Sequence, residues 1–258
     1  MKRREIKHMD YIRLTHDNLE REHICCAISS NKDPQVCSKK AWLSERLEEG
    51  LVFLRAAERG KCFIEYIPAE YAWVPIEADG YMHINCFWVS GSLKGHGYSN
   101  DLLNLCIADA REKGKRGLTV ISSVKKQSFL SDPKHLAYKG FKLADTAEPF
   151  FTLLYLPFEE SAPIPHFREQ VKQPHSMDAG FVLYYTSGCP FTTKYVPLIE
   201  SCAREHGIPF KCVYIDSREA AQNGPAAWTN YALFYNGTFV THEILSEKKF
   251  LALKEKLS

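Results

Sequence analysis

The stretch from Cys86 to Asn100 sets the strongest constraint on this chain: it runs an apolar strand into a glycine loop and then into a helix start. The strand is Tyr81–Val89, YMHINCFWV, apolar on both faces near its end, as in a central strand covered on both sides. Strict alternation places Tyr81, His83, Asn85, Phe87 and Val89 on one face and Met82, Ile84, Cys86 and Trp88 on the other. Beyond the loop, Leu102, Leu103, Cys106, Ile107 and Ala110 recur at helical spacing. Gly95 and Gly97 let the backbone turn sharply and approach a ligand closely. A helix beginning there presents unpaired N–H groups and the positive end of its dipole to an anion, and a pyrophosphate suits that geometry. Taken alone, the short Gly-x-Gly fits an ordinary strand–helix turn equally well.

The surrounding pattern is mixed α/β. Asp33-Pro34 starts a helix that Gly50 stops, with Val36, Leu43 and Leu47 on one face. Residues 51–57 and 62–67 read as a hairpin, residues 68–80 as an irregular loop, and GLTVISS (117–123) as the strand that closes a crossover. A short helix near 133–139 and the strand FFTLLYL (150–156) follow. Residues 159–179 lose periodicity and gain prolines, which marks a linker between residues 1–158 and residues 180–258. The second unit reads β-α-β then β-β-α, with Asn236-Gly237 as its hairpin turn.

A net charge of +2 gives no reason to expect nucleic acid or a membrane surface as partner, and no apolar run approaches a span. The basic start carries no apolar segment behind it, so a cytoplasmic location is expected. Nine cysteines without a C-x-x-C pair argue for reduced thiols and against a zinc site, and no metal is expected.

With these elements in place, residues 1 to about 156 resemble the GCN5-related N-acetyltransferase (GNAT) superfamily, whose loop reads Q/R-x-x-G-x-G/A. Here Lys94 stands at the Gln/Arg position, Gly97 at the central glycine and Ser99 at the last small residue. The whole chain resembles the YoaP-type subset, an acetyltransferase followed by a thioredoxin-like domain. The resemblance implies an α/β (α+β) chain: a GNAT fold with a mixed, splayed central sheet, then a thioredoxin-like α/β domain. It implies acetyl-CoA as co-substrate, held by Phe87, Trp88 and Val89 along the strand and by Lys94, Gly95, His96, Gly97, Tyr98 and Ser99 in the loop. The usual tyrosine acid position of the family holds Leu136, with Tyr138 two residues away. In the second domain Gly188-Cys189-Pro190-Phe191 lies at the redox-loop position, Thr192 replaces the second cysteine, and Thr229 lies near the cis-proline position.

Transfer to an amine needs a polarised thioester and a neutral nucleophile. Val89 is the expected backbone donor to the carbonyl. Glu65 and His83 are the candidate bases, with Glu77 a third. Ser122 and Ser123 either bond the pantetheine amides, Ser123 being counted among the cofactor-binding residues, or cap the next turn; Lys125 and Lys126 either meet a phosphate or form a solvated loop. Cys189 at a helix N-terminus would have a depressed pKa, which leaves a thiol redox or binding protein with an acyl-CoA-sensing first domain as the alternative. Trp228, Tyr231 and Phe234 read as core. The acceptor amine is not specified by any motif, and a protein partner would dock through the second domain.

Overall fold

The computed structural model describes residues 9–27 and 29–257. Its first unit is a seven-stranded sheet in the order β1-β2-β3-β5-β6-β8-β7. The strands are β1 (Tyr11–Arg13), β2 (Val52–Ala56), β3 (Cys62–Pro68), β5 (Tyr81–Val89), β6 (Gly117–Ser123), β7 (Lys142–Ala147) and β8 (Phe151–Pro157). Only β5 and β6 pair in parallel, so the sheet is mixed. Helices α1 (His16–Leu19) and α2 (Pro34–Glu48) precede β2; α3 (Tyr98–Glu112) joins β5 to β6, and α4 (Pro133–Tyr138) joins β6 to β7.

The sheet buries apolar side chains on both faces. One face packs Ile64, Tyr66, Met82, Ile84 and Val120 under Leu102, Leu103 and Cys106 of α3 and Leu136 of α4. The other packs Phe53, Phe63, Ile67, Tyr81 and Ile121 under Val36, Trp42 and Leu43 of α2. Phe53 and Phe63 stack in parallel at 5.0 Å, a cross-strand aromatic pair that ties β2 to β3.

Two features of this sheet shape the site, a bulge that was not expected and a splay that was. First, β5 does not alternate strictly. Glu65 pairs with Cys86 and Tyr66 with Ile84, so Asn85 is an extra residue, a β-bulge. Such an insertion flips the face of every later side chain. Phe87 and Val89 therefore join the α3 face, while Cys86 packs toward the α2 face with Tyr81. Second, β5 and β6 are in register only from Tyr81↔Gly117 to Ile84↔Val120, although both strands continue beyond. The sheet splays open there.

The stretch read as a linker is packed. β9 (His166–Phe167) pairs antiparallel with β4 (Ile76–Glu77), which lies in the stretch read as an irregular loop. Phe167 and Val171 are fully buried in the α2-side core. His175 then bridges to Thr238, so the segment is a strap against both sheets.

The second unit is a four-stranded sheet in the order β11-β10-β12-β13, built from β10 (Phe181–Tyr185), β11 (Phe210–Tyr214), β12 (Tyr231–Tyr235) and β13 (Thr238–Thr241). β11 is parallel to β10, whereas β12 is antiparallel to β10 and β13 to β12. Asn236 and Gly237 take positive φ of 47° and 83°, the two-residue turn that pattern demands. Helix α5 (Pro190–Glu205) follows β10, α6 (Arg218–Gln222) precedes β12, and α7 (Glu247–Leu257) ends the described chain. Among the described residues no helix is long and apolar enough to cross a membrane.

Candidate active site

The glycine loop forms as the sequence requires. After β5 a single turn of 3-10 helix, Gly91–Leu93, buries Leu93 under the sheet; Gly95 (φ 85°) and Gly97 (φ 89°) then reverse the chain. Both sit in the left-handed region that disfavours a side chain. Gly97 is the N-cap of α3 and supplies no side-chain cap, so the first N–H groups of the helix stay available. A Cβ at Gly91, Gly95 or Gly97 would meet nothing within 4 Å: the loop backbone faces open space. Lys94 and His96 are exposed. Tyr98 is buried in the α3-side core, its ring stacked at 5.6 Å on that of the exposed His96.

The splay lies beside this loop. Ser90 N–H donates to the O of Lys61, the residue before β3 (2.8 Å). Backbone groups alternate sides along a strand, so the N–H and C=O of Val89 and Phe87 aim away from β3, into the gap with β6. Ser123 donates its hydroxyl to Lys125 O and Ser122 to Ser131 O, both at 2.7 Å. These hydroxyl protons hold the turn after β6. Lys126 is paired with Asp132 at 3.1 Å. Trp88 is partly exposed, with the Lys61 ammonium 4.2 Å from its ring centre.

On the α2 side of the splay lies a cavity of about 500 Å³ between the two sheets. Glu65, His83, Asn85 and Cys86 line it from the first sheet, and Cys189, Phe191, Trp228 and Thr229 from the second unit. The two candidate bases therefore do face one space, but in different states. Glu65 is buried, and its carboxylate accepts from Lys39 Nζ (2.8 and 3.1 Å) and from Asn85 Nδ2 (3.1 Å). His83 is buried with Nδ1 3.0 Å from Thr119 Oγ1, and burial pulls its pKa down to about 3. A ring that resists protonation this strongly is a poor proton acceptor. Glu77 lies apart on β4, paired with His166 at 2.9 Å.

Leu136 is fully buried, and Tyr138 is exposed on the far side of α4. The group that α4 offers instead is His135. Its ring lies 6.0 Å from that of Phe87, and its Nε2 is buried with no partner among the described residues. Burial lowers its pKa. The sequence carried no signal for this, because the helical phase of α4 depends on how it caps at Asp132.

Cys189 corrects an expectation. It is the N-cap of α5, but burial outweighs the helix N–H groups and pushes its thiol up to about 11. Thr192 Oγ1 lies 2.7 Å from Thr186 O and 2.6 Å from Cys189 O, a cap rather than a redox partner. The thiolate that the redox alternative needs is therefore suppressed. Trp228, Tyr231 and Phe234 are core as expected; Trp228, buried in the α2-side core, also forms part of the cavity wall.

Lys39, invisible as a site residue in the sequence, holds the cavity together. Besides Glu65 it donates to Gly188 O of the second unit at 2.7 Å, with its ammonium 4.0 Å from the Trp42 ring centre. Thr229 Oγ1 donates to Trp73 O (2.5 Å) and His242 Nε2 to Ser128 O (2.8 Å) across the same interface.

Residues 209–251 match a family model described as YoaP-like. Over 251 residues the chain is 44% identical to YoaP of Bacillus subtilis strain 168, described as an uncharacterized N-acetyltransferase; the match spans 97% of this chain and 100% of that protein. Similar solved structures include a GNAT family acetyltransferase from Brucella melitensis in complex with acetyl-CoA, at 16% identity and a TM-score of 0.37, covering 60% of this chain and 92% of that one. Another is PaiA N-acetyltransferase from Thermoplasma acidophilum in complex with coenzyme A, at 16% identity and a TM-score of 0.39, covering 58% and 99%.

Proposed function

The chain belongs to the YoaP family of GNAT-type N-acetyltransferases, and on that premise we propose that it moves an acetyl group from acetyl-CoA to a primary amine bound in the cavity between its two sheets. The observation that carries this reading is the continuity of three parts: a glycine loop with free N–H donors, a splayed strand pair beside it, and a partly open cavity on the α2 side of the splay. The loop N–H groups of residues 95–99 suit a diphosphate. The unpaired edges of β5 and β6 suit an extended amide-bearing arm.

This chain's own groups then account for the chemistry. The Val89 N–H donates toward the acetyl carbonyl oxygen, where negative charge develops as the amine attacks directly. The apolar cavity disfavours an ammonium ion and so favours the neutral nucleophile. Glu65 accepts the proton released on attack, directly or through one water, while Lys39 and Asn85 hold the carboxylate in place. His135, whose ring lies 6.0 Å from that of Phe87 beside the splay and whose buried Nε2 lacks a partner among the described residues, donates toward the departing sulfur. The second unit has the strand order and directions of a thioredoxin-like domain, which supports that reading of its fold; its role is to wall the acceptor site, and redox exchange is not part of it.

Release of CoA thiol across a panel of amines, beside calorimetric binding of acetyl-CoA, tests the reading. Glu65→Gln should lower kcat about a hundredfold while leaving acetyl-CoA affinity unchanged. Absence of acetyl-CoA binding to the wild-type chain would sink the proposal.

A further inference from the structure

Resting on that reading, we infer that the acceptor is a monoamine carried on a planar aromatic body, and that the second unit selects it. The cavity walls are aromatic and come from both units: Trp42, Phe63 and Trp73 from the first, Phe191 and Trp228 from the second. These walls are held rigid. Trp42 and Trp73 meet edge to face at 6.2 Å, the Arg46 guanidinium lies 4.6 Å from the Trp73 ring centre, and Lys39 sits over Trp42. Fixed rings of this kind receive a flat aromatic partner in offset or edge-to-face contact without reordering.

The charge inside the cavity narrows the class further. Glu65 is the carboxylate in the lining, and Lys39 already neutralises it; His83 is uncharged; Lys126 at the rim is held by Asp132. A single amine can shed its proton to Glu65 on reaction. A second ammonium on the same molecule would be buried without a counter-charge, which is strongly unfavourable. Polyamines and aminoglycosides, which bring several ammonium groups to the same space, are therefore disfavoured relative to a monoamine. The space is walled by Trp228 and Phe191 from the second unit and by the first sheet, so a flat ring fills it better than the aliphatic stem of a lysine.

The experiment uses the full chain saturated with acetyl-CoA. Tryptamine and phenethylamine are compared with spermidine, kanamycin and a lysine-bearing peptide by CoA thiol release. Tryptamine should exceed the last three by about a hundredfold in kcat/KM. Trp228→Ala should raise the tryptamine KM at least about tenfold with the acetyl-CoA affinity unchanged. Phe191→Ala, at a wall residue less buried than Trp228, serves if Trp228→Ala fails to fold. Preference for spermidine, kanamycin or the peptide overturns the inference. So does an unchanged tryptamine KM in the folded variant, or absence of saturable tryptamine binding to acetyl-CoA-loaded protein by intrinsic fluorescence. In each of these cases intact acetyl-CoA binding leaves the acetyltransferase reading standing, whereas lost acetyl-CoA binding removes both.

Discussion

Replacing Lys39 with methionine removes the sole cation hydrogen-bonded to a buried carboxylate among the described residues. Lys39 and Glu65 expose 1% and 3% of their side chains. Lysine has three donor protons, and here they are divided between the two Glu65 oxygens and Gly188 O. Methionine keeps the length and the apolar stem against Trp42, but it strands the Glu65 charge and leaves the Gly188 carbonyl unmade. Breaking one side of a buried pair costs about 3–5 kcal/mol. For a chain of this size each kcal/mol moves the melting temperature by roughly 2–4 °C, so Lys39→Met should melt at least about 6 °C lower. The double variant Lys39→Met, Glu65→Gln no longer buries an uncompensated charge. It keeps an acceptor for Asn85 and retains only the cost of an unpaired Gly188 carbonyl, about 1–3 kcal/mol. It should therefore be more stable than Lys39→Met alone, although it carries one more change. Urea and thermal unfolding followed by circular dichroism and tryptophan fluorescence give both numbers. A single variant within about 1 kcal/mol of wild type, or a double variant no more stable than the single, would refute the argument that this ion pair is a desolvated, mutually dependent unit.

Further predictions follow from the same structure. His83 has its pKa depressed from the ordinary 6.5 to about 3; between those values the unfolded chain takes up a proton that the folded chain refuses, so stability falls as pH drops from 6.5 toward 3. The loss is about 1.4 kcal/mol per pH unit, and urea unfolding at pH 7 and pH 5 should show wild type losing roughly 2 kcal/mol more than His83→Gln over that interval. Cys37 is exposed, whereas the Cys189 thiol is pushed up to about 11; mass spectrometry after brief iodoacetamide treatment at pH 7.5 should find Cys37 alkylated well before Cys189, and Cys189→Ser should leave acetyl transfer in place. Gly97→Val places a branched side chain at φ 89°, a conformation that costs an L-residue about 1–2 kcal/mol, and the loop relaxes away from its ligand-facing shape. Calorimetry should show acetyl-CoA affinity down about 10- to 100-fold, the loss of one or two hydrogen bonds to a charged group, with the far-ultraviolet spectrum unchanged.

Much of the first unit was legible from the residues, because its signals are local. The strand Tyr81–Val89, the glycines at 95 and 97 and the apolar stripe of residues 102–110 need only neighbouring chemistry to specify strand, turn and helix. The Asn236-Gly237 turn is likewise set by the two residues that adopt positive φ. What was missed shares a cause. β7 is a polar edge strand, KLADTA, and β4 and β9 are two residues each, so none carries a periodic pattern.

The site divides along the same line. The sequence by itself determined the loop whose backbone faces open space at the start of α3, since glycine's freedom at positive φ is a property of one residue. It also determined that Glu65 and His83 could reach one space, since alternation on neighbouring strands is a local rule. The tertiary structure alone decided the rest. One inserted residue, Asn85, reverses the faces of Cys86 to Val89, and no pattern of apolar residues announces where a ladder will slip. Burial decided that His83 stays neutral and that Cys189 keeps its proton, because desolvation depends on what packs around a group. The placement of Lys39 against both Glu65 and Gly188, 149 residues further along the chain, made a strand-side carboxylate part of the wall of an aromatic-lined cavity between the two units.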